Sequence, residues 1–199
     1  MGRMKRHEPG EEGFEVGFEV RAHGSALDWE AFRALPRSPA HLVLDRLRSA
    51  WNVGAVFRLA DAARAAEVVT CGYTAHPPHE KLTKTALGAE RCVPTRHFAT
   101  TVEAVKTLQS EGTPVYALEL APGGETLWNV AFPRPVALVL GNEAEGVSQD
   151  VLSLCDRVVE IPMYGYKNCI NVAAACAVAL FEMARQWTVM GDAAIPPPR

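Results

Sequence analysis

Short apolar segments alternate with segments of helical periodicity along most of this chain. The apolar segments predict β-strands, at His41–Leu47, Glu67–Gly72, Cys92–Pro94, Pro114–Leu120, Val136–Leu140 and Arg157–Pro162. The periodic segments predict helices, at Asp28–Ala34, Asn52–Ala66, Lys84–Gly88, Thr101–Glu111, Ser148–Leu154 and Asn171–Val189. Strands that alternate with helices are typical of an α/β fold, with a mostly parallel sheet flanked by helices.

The chain of 199 residues has the length of one ordinary domain. Residues 40–190 carry the alternation and form the predicted domain. Before them, Met1–Gly24 mixes charge and glycine without a sustained period, so residues 1–39 are predicted to be a partly mobile N-terminal extension. The proline-rich end predicts a C-terminal tail over residues 191–199.

Composition and charge narrow the function classes. No apolar stretch approaches the roughly 20 residues that span a bilayer, and no signal-type leader is present, so we expect a cytoplasmic protein without membrane contact. The net charge of −3 differs from the basic charge that is typical of nucleic-acid binders. An RNA contact therefore has to come from local basic clusters or from a surface that two subunits form. Lys81, Lys84, Arg91 and Arg96 are such a cluster, or else a solvated face.

The cysteines and histidines favour neither disulfides nor metal. The five cysteines are odd in number and widely spaced, without a C-x-x-C pair. His76 and His79 are the alternative for a metal site, but the two prolines between them favour an extended loop over a helical face that aims both rings together. We expect no bound metal.

Three polar clusters interrupt apolar segments. They are Asn52-Val53-Gly54 with Arg58, Gly141-Asn142-Glu143, and Asn168-Cys169-Ile170-Asn171. Because buried polar groups are costly unless they are paired, three such interruptions predict one shared polar site. The chain contains no G-x-x-x-x-G-K-[ST] sequence and no G-x-G-x-x-G after a strand, so a loop for nucleotide triphosphates is not predicted.

The residues of these clusters leave several roles open. Arg58 either pairs with Asp61 on the surface or faces a cleft, where a guanidinium can bind phosphate with two hydrogen bonds. Glu143 follows an apolar strand, at the sheet edge where α/β folds bind ligands, and there it caps a helix, pairs with Arg58, holds a substrate hydroxyl or is simply solvated. Asn52 is a plausible N-cap. Cys169 is either a nucleophile or, as we prefer because no histidine lies near it in sequence, a weakly hydrogen-bonding thiol.

Together the clusters resemble the three signature motifs of the SpoU (TrmH-like) RNA 2′-O-ribose methyltransferases, in the SPOUT superfamily. Asn52-x-Gly54-x-x-x-Arg58 is similar to the first motif, and Leu138–Glu143 with Gly146-Val147 to the second. The third motif corresponds to Ile161–Gly165 with Cys169–Val172 and Glu182. Order and spacing agree across residues 40–190.

The resemblance implies a C-terminal deep trefoil knot that binds S-adenosylmethionine. It also implies a homodimer, in which two subunits complete each site and bury faces of the Asn52 helix and the Ala173–Met183 helix. The cofactor would contact Leu118, Gly141, Ile161, Met163, Cys169 and Ile170.

The implied activity is transfer of a methyl group to a ribose 2′-hydroxyl of tRNA or rRNA. In that reading Arg58 binds the target phosphate and hydroxyl, with a role as proton acceptor as a further hypothesis. Glu143 and Asn171 hold Arg58 and the ribose, and Asn52 braces the loop. Cys169 stands where the family usually has serine, and a thiol is a weaker hydrogen bonder. The alternative is a non-catalytic dimer that binds RNA or senses the cofactor.

Overall fold

The computed structural model of the chain describes residues 29–189. The chain divides into two compact units at Leu35. In the first unit the described residues form helix α1, Trp29–Ala34, which confirms the short helix predicted there. The predicted extension at Met1–Gly24 and the predicted tail at residues 191–199 lie outside the described residues.

The second unit begins at Pro36 and holds a seven-stranded sheet with helices on both faces. The strands are β1 (Ser38–Asp45), β2 (Ala65–Cys71), β3 (Thr95–Phe98), β4 (Val115–Leu118), β5 (Glu125–Thr126), β6 (Val136–Leu140) and β7 (Arg157–Glu160). The helices are α2 (Ala50–Ala62), α3 (Glu80–Ala86), α4 (Ala89–Cys92), α5 (Thr101–Ser110), α6 (Gln149–Leu152) and α7 (Val172–Val189). A 3₁₀ turn covers Leu127–Asn129.

The strands run parallel, in the order β3-β2-β1-β6-β4-β7-β5. This confirms the predicted α/β class and the parallel sheet. Because the carboxyl ends of parallel strands meet at one edge, the loops after β1, β4, β6 and β7 lie together there. The second and third polar clusters lie in the loops after β6 and β7, and the first lies in α2, which follows the loop after β1.

Each face of the sheet has its own core. On one face, Leu42 and Leu44 of β1 pack with the buried sides of α2 and α7. On the other face, Val43 of the same strand packs with α5 and α6. Strands that are buried on both faces read as continuous apolar runs, which is why the strand signal in this sequence is strong.

Two element boundaries differ from the sequence prediction around α2. The helix begins after Ser49, whose side chain accepts a hydrogen bond from the Asn52 backbone N–H at 3.5 Å. Asn52 as the N-cap is therefore wrong. The helix also ends four residues before the predicted Ala66, because Arg64 adopts a left-handed conformation (φ 49°) and Ala65 already belongs to β2.

The strand predicted at Cys92–Pro94 is wrong. Leu87 (φ 55°) and Gly88 (φ 94°) are left-handed, so the helix predicted at Lys84–Gly88 ends at Ala86, as part of α3. A separate helix, α4, follows and ends at Cys92, where the strand was predicted. Strand β3 starts only at Thr95. The short β5, which pairs with β7 over two residues, is absent from the prediction because so brief a segment has no periodic signal.

The sequence predicts neither a membrane-spanning segment nor disulfides, and the described residues 29–189 include all five cysteines. No helix within residues 29–189 is long and apolar enough to cross a membrane. All five cysteines are free, and burial raises the pKa of the Cys71, Cys155 and Cys176 thiols to about 12. These thiols are therefore unreactive at neutral pH.

Gly54 permits the close contact between α2 and α3. A Cβ atom on Gly54 would lie 2.6 Å from the Thr85 Cβ and 2.8 Å from the Ala86 backbone nitrogen. The Thr85 hydroxyl donates to the Ala50 carbonyl at 2.8 Å, which ties the two helices at this crossing. The glycine of the first motif is therefore required for helix packing.

We expect Gly54→Ala to lower the free energy of unfolding by about 1–3 kcal/mol, because the added methyl overpacks the crossing. Without that contact, alanine would stabilise a helix by roughly 1 kcal/mol relative to glycine. Urea unfolding measures the difference. Gly165→Ala, where no atom lies within 4 Å of the added methyl, is the matched control and should change stability by less than about 0.5 kcal/mol. A Gly54→Ala protein as stable as the control would contradict the packing argument.

Candidate functional site

The first two polar clusters meet at the carboxylate of Glu143. It accepts hydrogen bonds from the backbone N–H of Arg48 at 2.8 Å and of Ser49 at 3.1 Å. It also accepts one from the Asn52 side-chain amide at 2.8 Å. Glu143 follows β6, whereas the three donors precede or begin α2. The carboxylate therefore satisfies N–H groups at the entry to α2, where they have no helical partner.

The third cluster joins the same network through Asn171. Its side-chain amide donates to the Asn52 side-chain oxygen at 3.0 Å. Its own side-chain oxygen accepts from the backbone N–H of Ala173 at 2.9 Å and of Ala174 at 3.3 Å, so Asn171 caps α7. One residue of each cluster, Asn52, Glu143 and Asn171, thus meets the others in one network, with Asn52 as the central member.

The hydrogen bonds determine the charge of Glu143. Burial alone would raise the pKa of its carboxyl group. The donors from Arg48, Asn52 and Ser49, with the backbone N–H of Glu143 itself, outweigh burial and hold this pKa below its ordinary value of 4.5. Glu143 is therefore a firmly ionised group near neutral pH.

Asn142 orders the loop that carries Glu143, a role that the sequence pattern does not predict. It is buried, and its amide donates to the Arg46 carbonyl at 2.6 Å and to the Tyr73 hydroxyl at 2.7 Å. Its oxygen accepts from the backbone N–H of Ala144 at 2.9 Å and of Glu145 at 3.1 Å. An asparagine two residues after a fully buried strand is the signal that could have identified it.

Two further carboxylates support the loops and were missed. Asp45, fully buried at the end of β1, accepts from the Thr101 hydroxyl at 2.6 Å and from the Ser148 backbone N–H at 3.3 Å. Glu119, just after β4, accepts from the Val147 backbone N–H at 2.8 Å. Both sit at the carboxyl end of a strand, as Glu143 does, and this shared position is the signal that could have identified them.

Gly141 allows the turn that follows it to pack directly against its backbone. A Cβ atom there would collide with the backbone of Gly146 and Val147, lying 2.9 Å from the Gly146 Cα. Asn142 and Gly146 exchange two backbone hydrogen bonds, at 3.0 and 2.9 Å, that close this turn. The absence of a side chain at Gly141 is thus a packing requirement inside the protein.

A pocket of about 660 Å³ lies at this edge of the sheet. All the residues predicted to contact the cofactor line it, namely Leu118, Gly141, Ile161, Met163, Cys169 and Ile170. Glu143 and Asn171 also line it. Its volume falls within the roughly 300–1,000 Å³ that is typical of small-molecule sites.

The pocket is acidic. Four glutamates line it, Glu119, Glu143, Glu145 and Glu160, and no Lys or Arg is among its described lining residues. Glu145 is paired with Arg46 at 3.0 Å. A ligand with positive charge therefore matches this pocket, and a phosphate does not.

Arg58 lies apart from the network of its own chain. It is exposed on α2 and does not line the pocket. Six residues separate it from Asn52, which places it about 120° around the helix and about 9 Å along it. Glu143 is bound to other donors, and the charged neighbours of Asp61 are Arg37 and Arg64. The predicted pairings of Arg58 with Glu143 or Asp61 are thus wrong within one chain.

The two histidines of the candidate metal site have different partners, and one member of the predicted basic cluster is paired elsewhere. The His76 ring stacks on His97 with centroids 3.8 Å apart, whereas the His79 Nδ1 accepts from the Leu82 backbone N–H and caps α3. Within residues 29–189 no group of three His, Cys, Asp or Glu side chains is placed to hold a metal. Arg96 pairs with Glu67 and Glu111, which removes it from the predicted basic cluster.

A double-mutant cycle tests the link between the clusters. We expect Asn52→Ala and Asn171→Ala to be coupled by about 0.5–1.5 kcal/mol in the free energy of unfolding, because each removes the same hydrogen bond. Urea unfolding of the single and double variants measures the coupling. The cycle of Asn52→Ala with Asn129→Ala, an exposed asparagine outside the network, should be additive. Additivity in the first cycle would show that the bond is not formed.

The lowered pKa of Glu143 predicts a pH dependence of stability. A carboxyl group whose pKa falls on folding stabilises the protein above its unfolded pKa, and the contribution is lost as the pH falls through its folded pKa. We therefore expect the stability difference between wild type and Glu143→Gln to be constant from pH 7 to about 5 and to shrink below about 4.5. A difference that grows on acidification would contradict this. Glu80→Gln, in an exposed pair, serves as control.

Comparison with known proteins places this site in a family. The sequence pattern of the SpoU rRNA Methylase family matches residues 39–181. The chain is 35% identical over 153 residues to the 23S rRNA (guanosine-2′-O-)-methyltransferase RlmB of Ralstonia nicotianae, which covers 76% of this chain and 61% of that protein. It is 32% identical over 145 residues to a tRNA (guanosine(18)-2′-O)-methyltransferase of Thermus thermophilus, covering 73% and 74% of the two chains.

A solved structure shares the fold. The AdoMet-bound rRNA methyltransferase from Sinorhizobium meliloti superposes with a TM-score of 0.69 at 28% identity, over 77% of this chain and 59% of that one. The chain thus spans less than two thirds of the Ralstonia and Sinorhizobium proteins. The family pattern nevertheless covers well over half of this chain and includes its three polar clusters. The chain belongs to the SpoU rRNA methylase family.

Proposed function

We propose that this protein transfers a methyl group from S-adenosylmethionine to a ribose 2′-hydroxyl of tRNA or rRNA. The observation that carries the proposal is the position of the hydrogen-bonded Glu143, Asn52 and Asn171 beside the acidic pocket. The matched relatives support it, since one is named an rRNA and another a tRNA 2′-O-methyltransferase. The described residues of the site do not distinguish tRNA from rRNA.

The pocket suits S-adenosylmethionine. Its apolar side chains, Ile161, Met163 and Ile170, provide a surface for the adenine ring. The glutamates match the sulfonium and ammonium charges, as charge complementarity requires. The similar Sinorhizobium structure is described as bound to AdoMet, which supports the same ligand here.

The cofactor supplies an electrophilic methyl group on sulfonium. Transfer of that methyl group to the ribose oxygen would leave a neutral thioether on the cofactor and release the hydroxyl proton to water. The residues of this chain contribute mainly by alignment. Glu143 acts as a fixed anion that positions Asn52 and the substrate, and it is a weak proton acceptor because its pKa is lowered.

Arg58 enters the site in this proposal from the partner subunit. It cannot meet Glu143 across its own helix, yet it is exposed and carries a permanent charge that binds phosphate. The acidic pocket provides no such group, so the phosphate of the target nucleotide needs a cation from elsewhere. A site formed by two subunits supplies this cation as the Arg58 side chain of the second copy.

A homodimer is supported by the exposed surface of α7. Ala174, Ala177, Val178 and Phe181 form a partly exposed apolar stripe, with Phe181 48% exposed. Helix α7 packs against α2, which carries Arg58, so a partner on the stripe lies near that arginine. Contiguous exposed apolar surface of this kind is typical of an interface.

The trefoil knot is also part of the proposal. The sheet order supports it, because β7 enters between β4 and β5, both of which precede it in sequence. The last helix is held by the segment that joins β5 to β6. The Gln186 amide donates to the Val130 carbonyl at 2.9 Å, and the Trp187 indole donates to the Phe132 carbonyl at 3.3 Å.

A cytoplasmic location is also part of the proposal, and it is supported by the proposed RNA substrate.

Subunit complementation tests the shared site. Arg58→Ala and Glu143→Ala homodimers should each lose methyl incorporation from labelled S-adenosylmethionine into bulk RNA. Dimers made by coexpressing the two variants with different tags should regain about a quarter of the wild-type rate, because half the dimers are mixed and each has one intact site. Calorimetry of cofactor binding to Arg58→Ala is the folding control.

Other outcomes distinguish the alternatives. If both residues act within one chain, the mixed dimers stay inactive, and the role of Arg58 in the partner's site is wrong. If the wild type binds the cofactor but methylates no tRNA or rRNA pool, the non-catalytic dimer is the correct reading. Cys169→Ser, which introduces the usual family residue, should then fail to raise the rate.

A further inference from the structure

A second pocket, of about 440 Å³, opens at the N-terminus of α2. It shares Arg48 and Ser49 with the Glu143 network, since their backbone N–H groups bind that carboxylate. The methyl transfer proposed above uses none of its side chains. Two features distinguish its lining: exposed aromatic rings and a set of cations, namely Trp51, Tyr73, Arg48, Lys81 and Lys84.

Both aromatic rings are exposed, and the Tyr73 ring is held in place. Trp51 is 69% exposed at the start of α2, and Tyr73 is 61% exposed after β2. The Tyr73 hydroxyl accepts a hydrogen bond from Asn142 at 2.7 Å, so its ring has a fixed position in the loop network. Exposed aromatic rings are suited to stacking against a flat ligand, and the fixed position of Tyr73 favours it further.

The charge of this pocket is opposite to that of the first. Arg48 and Lys81 are exposed, and within residues 29–189 neither side chain makes an ion pair. Lys84 pairs with Glu80. The first pocket, in contrast, is lined by four glutamates. A flat, anionic ligand therefore fits the second pocket and not the first.

We propose that the second pocket binds an unpaired nucleotide of the RNA substrate, with its base against Trp51 and Tyr73 and its phosphate at Arg48 and Lys81. The inference rests on the proposed function, since it assumes an RNA substrate. Every base has a π face, so stacking of this kind tolerates any sequence, while lysine and arginine bind the backbone.

Helix geometry connects this pocket to Arg58. Trp51 and Arg58 are seven residues apart, which places them within about 20° on the same face of α2 and about 10.5 Å apart along it. Both are exposed. A single strand that lies along this face contacts the second pocket and the arginine of the methyl-transfer site together.

Fluorescence anisotropy with the full chain tests the inference. The probe is a fluorescein-labelled single-stranded RNA of mixed sequence, about 12 nucleotides long, within the usual range for such sites. We expect Trp51→Ala to weaken binding about tenfold, and Trp51→Phe to recover most of the loss, as for one base–aromatic stack. Lys81→Ala should reduce the slope of log K against log salt by about 0.7. Trp128→Ala, a 50% exposed tryptophan beyond β5, is the matched control.

The same RNA annealed to its complement separates stacking from general attraction, because paired bases cannot stack on Trp51. The effect of Trp51→Ala should vanish on the duplex. If Trp51→Ala binds the single strand as tightly as Trp128→Ala, or loses duplex binding equally, the inference is overturned while methyl transfer stands. A wild type that binds S-adenosylmethionine in calorimetry but no RNA overturns both the inference and the proposed substrate.

Discussion

The site depends on the side-chain amide of Asn52. It donates to Glu143 and accepts from Asn171, so one residue joins the loop after β6 to the start of α7. Both partners also satisfy N–H groups where a helix begins, α2 for Glu143 and α7 for Asn171. Helix starts leave such groups unpaired, and polar side chains at this sheet edge are stabilised by pairing with them.

Separation of charge explains how a chain of net charge −3 handles RNA in our proposal. The glutamates gather in the pocket proposed for the cationic cofactor. Arg48, Lys81 and Arg58 remain exposed around α2. Other basic residues are neutralised by pairing inside the protein, as Arg96 is by Glu67 and Glu111. Local charge, and not the total, therefore decides where a polyanion binds.

The sequence predicted most of the strands and helices because buried parallel strands give long apolar runs, as at Val136–Leu140. It also predicted that three polar clusters converge. It missed Asn142 and Asp45, since partners such as Tyr73 and Thr101 are distant in sequence and only the folded loops bring them near. The packing role of Gly141 was hidden for the same reason: its neighbours in space belong to a turn closed by tertiary hydrogen bonds.

The position of the transferred methyl group tests the central claim most directly. RNA is incubated with the wild-type protein and S-adenosylmethionine labelled in the methyl group, and it is then hydrolysed with alkali, which needs a free 2′-hydroxyl to cleave the chain. Methylation of that hydroxyl leaves the label in alkali-resistant dinucleotides, which is the result we predict. Label recovered only in mononucleotides would place the methyl group on a base and contradict the account.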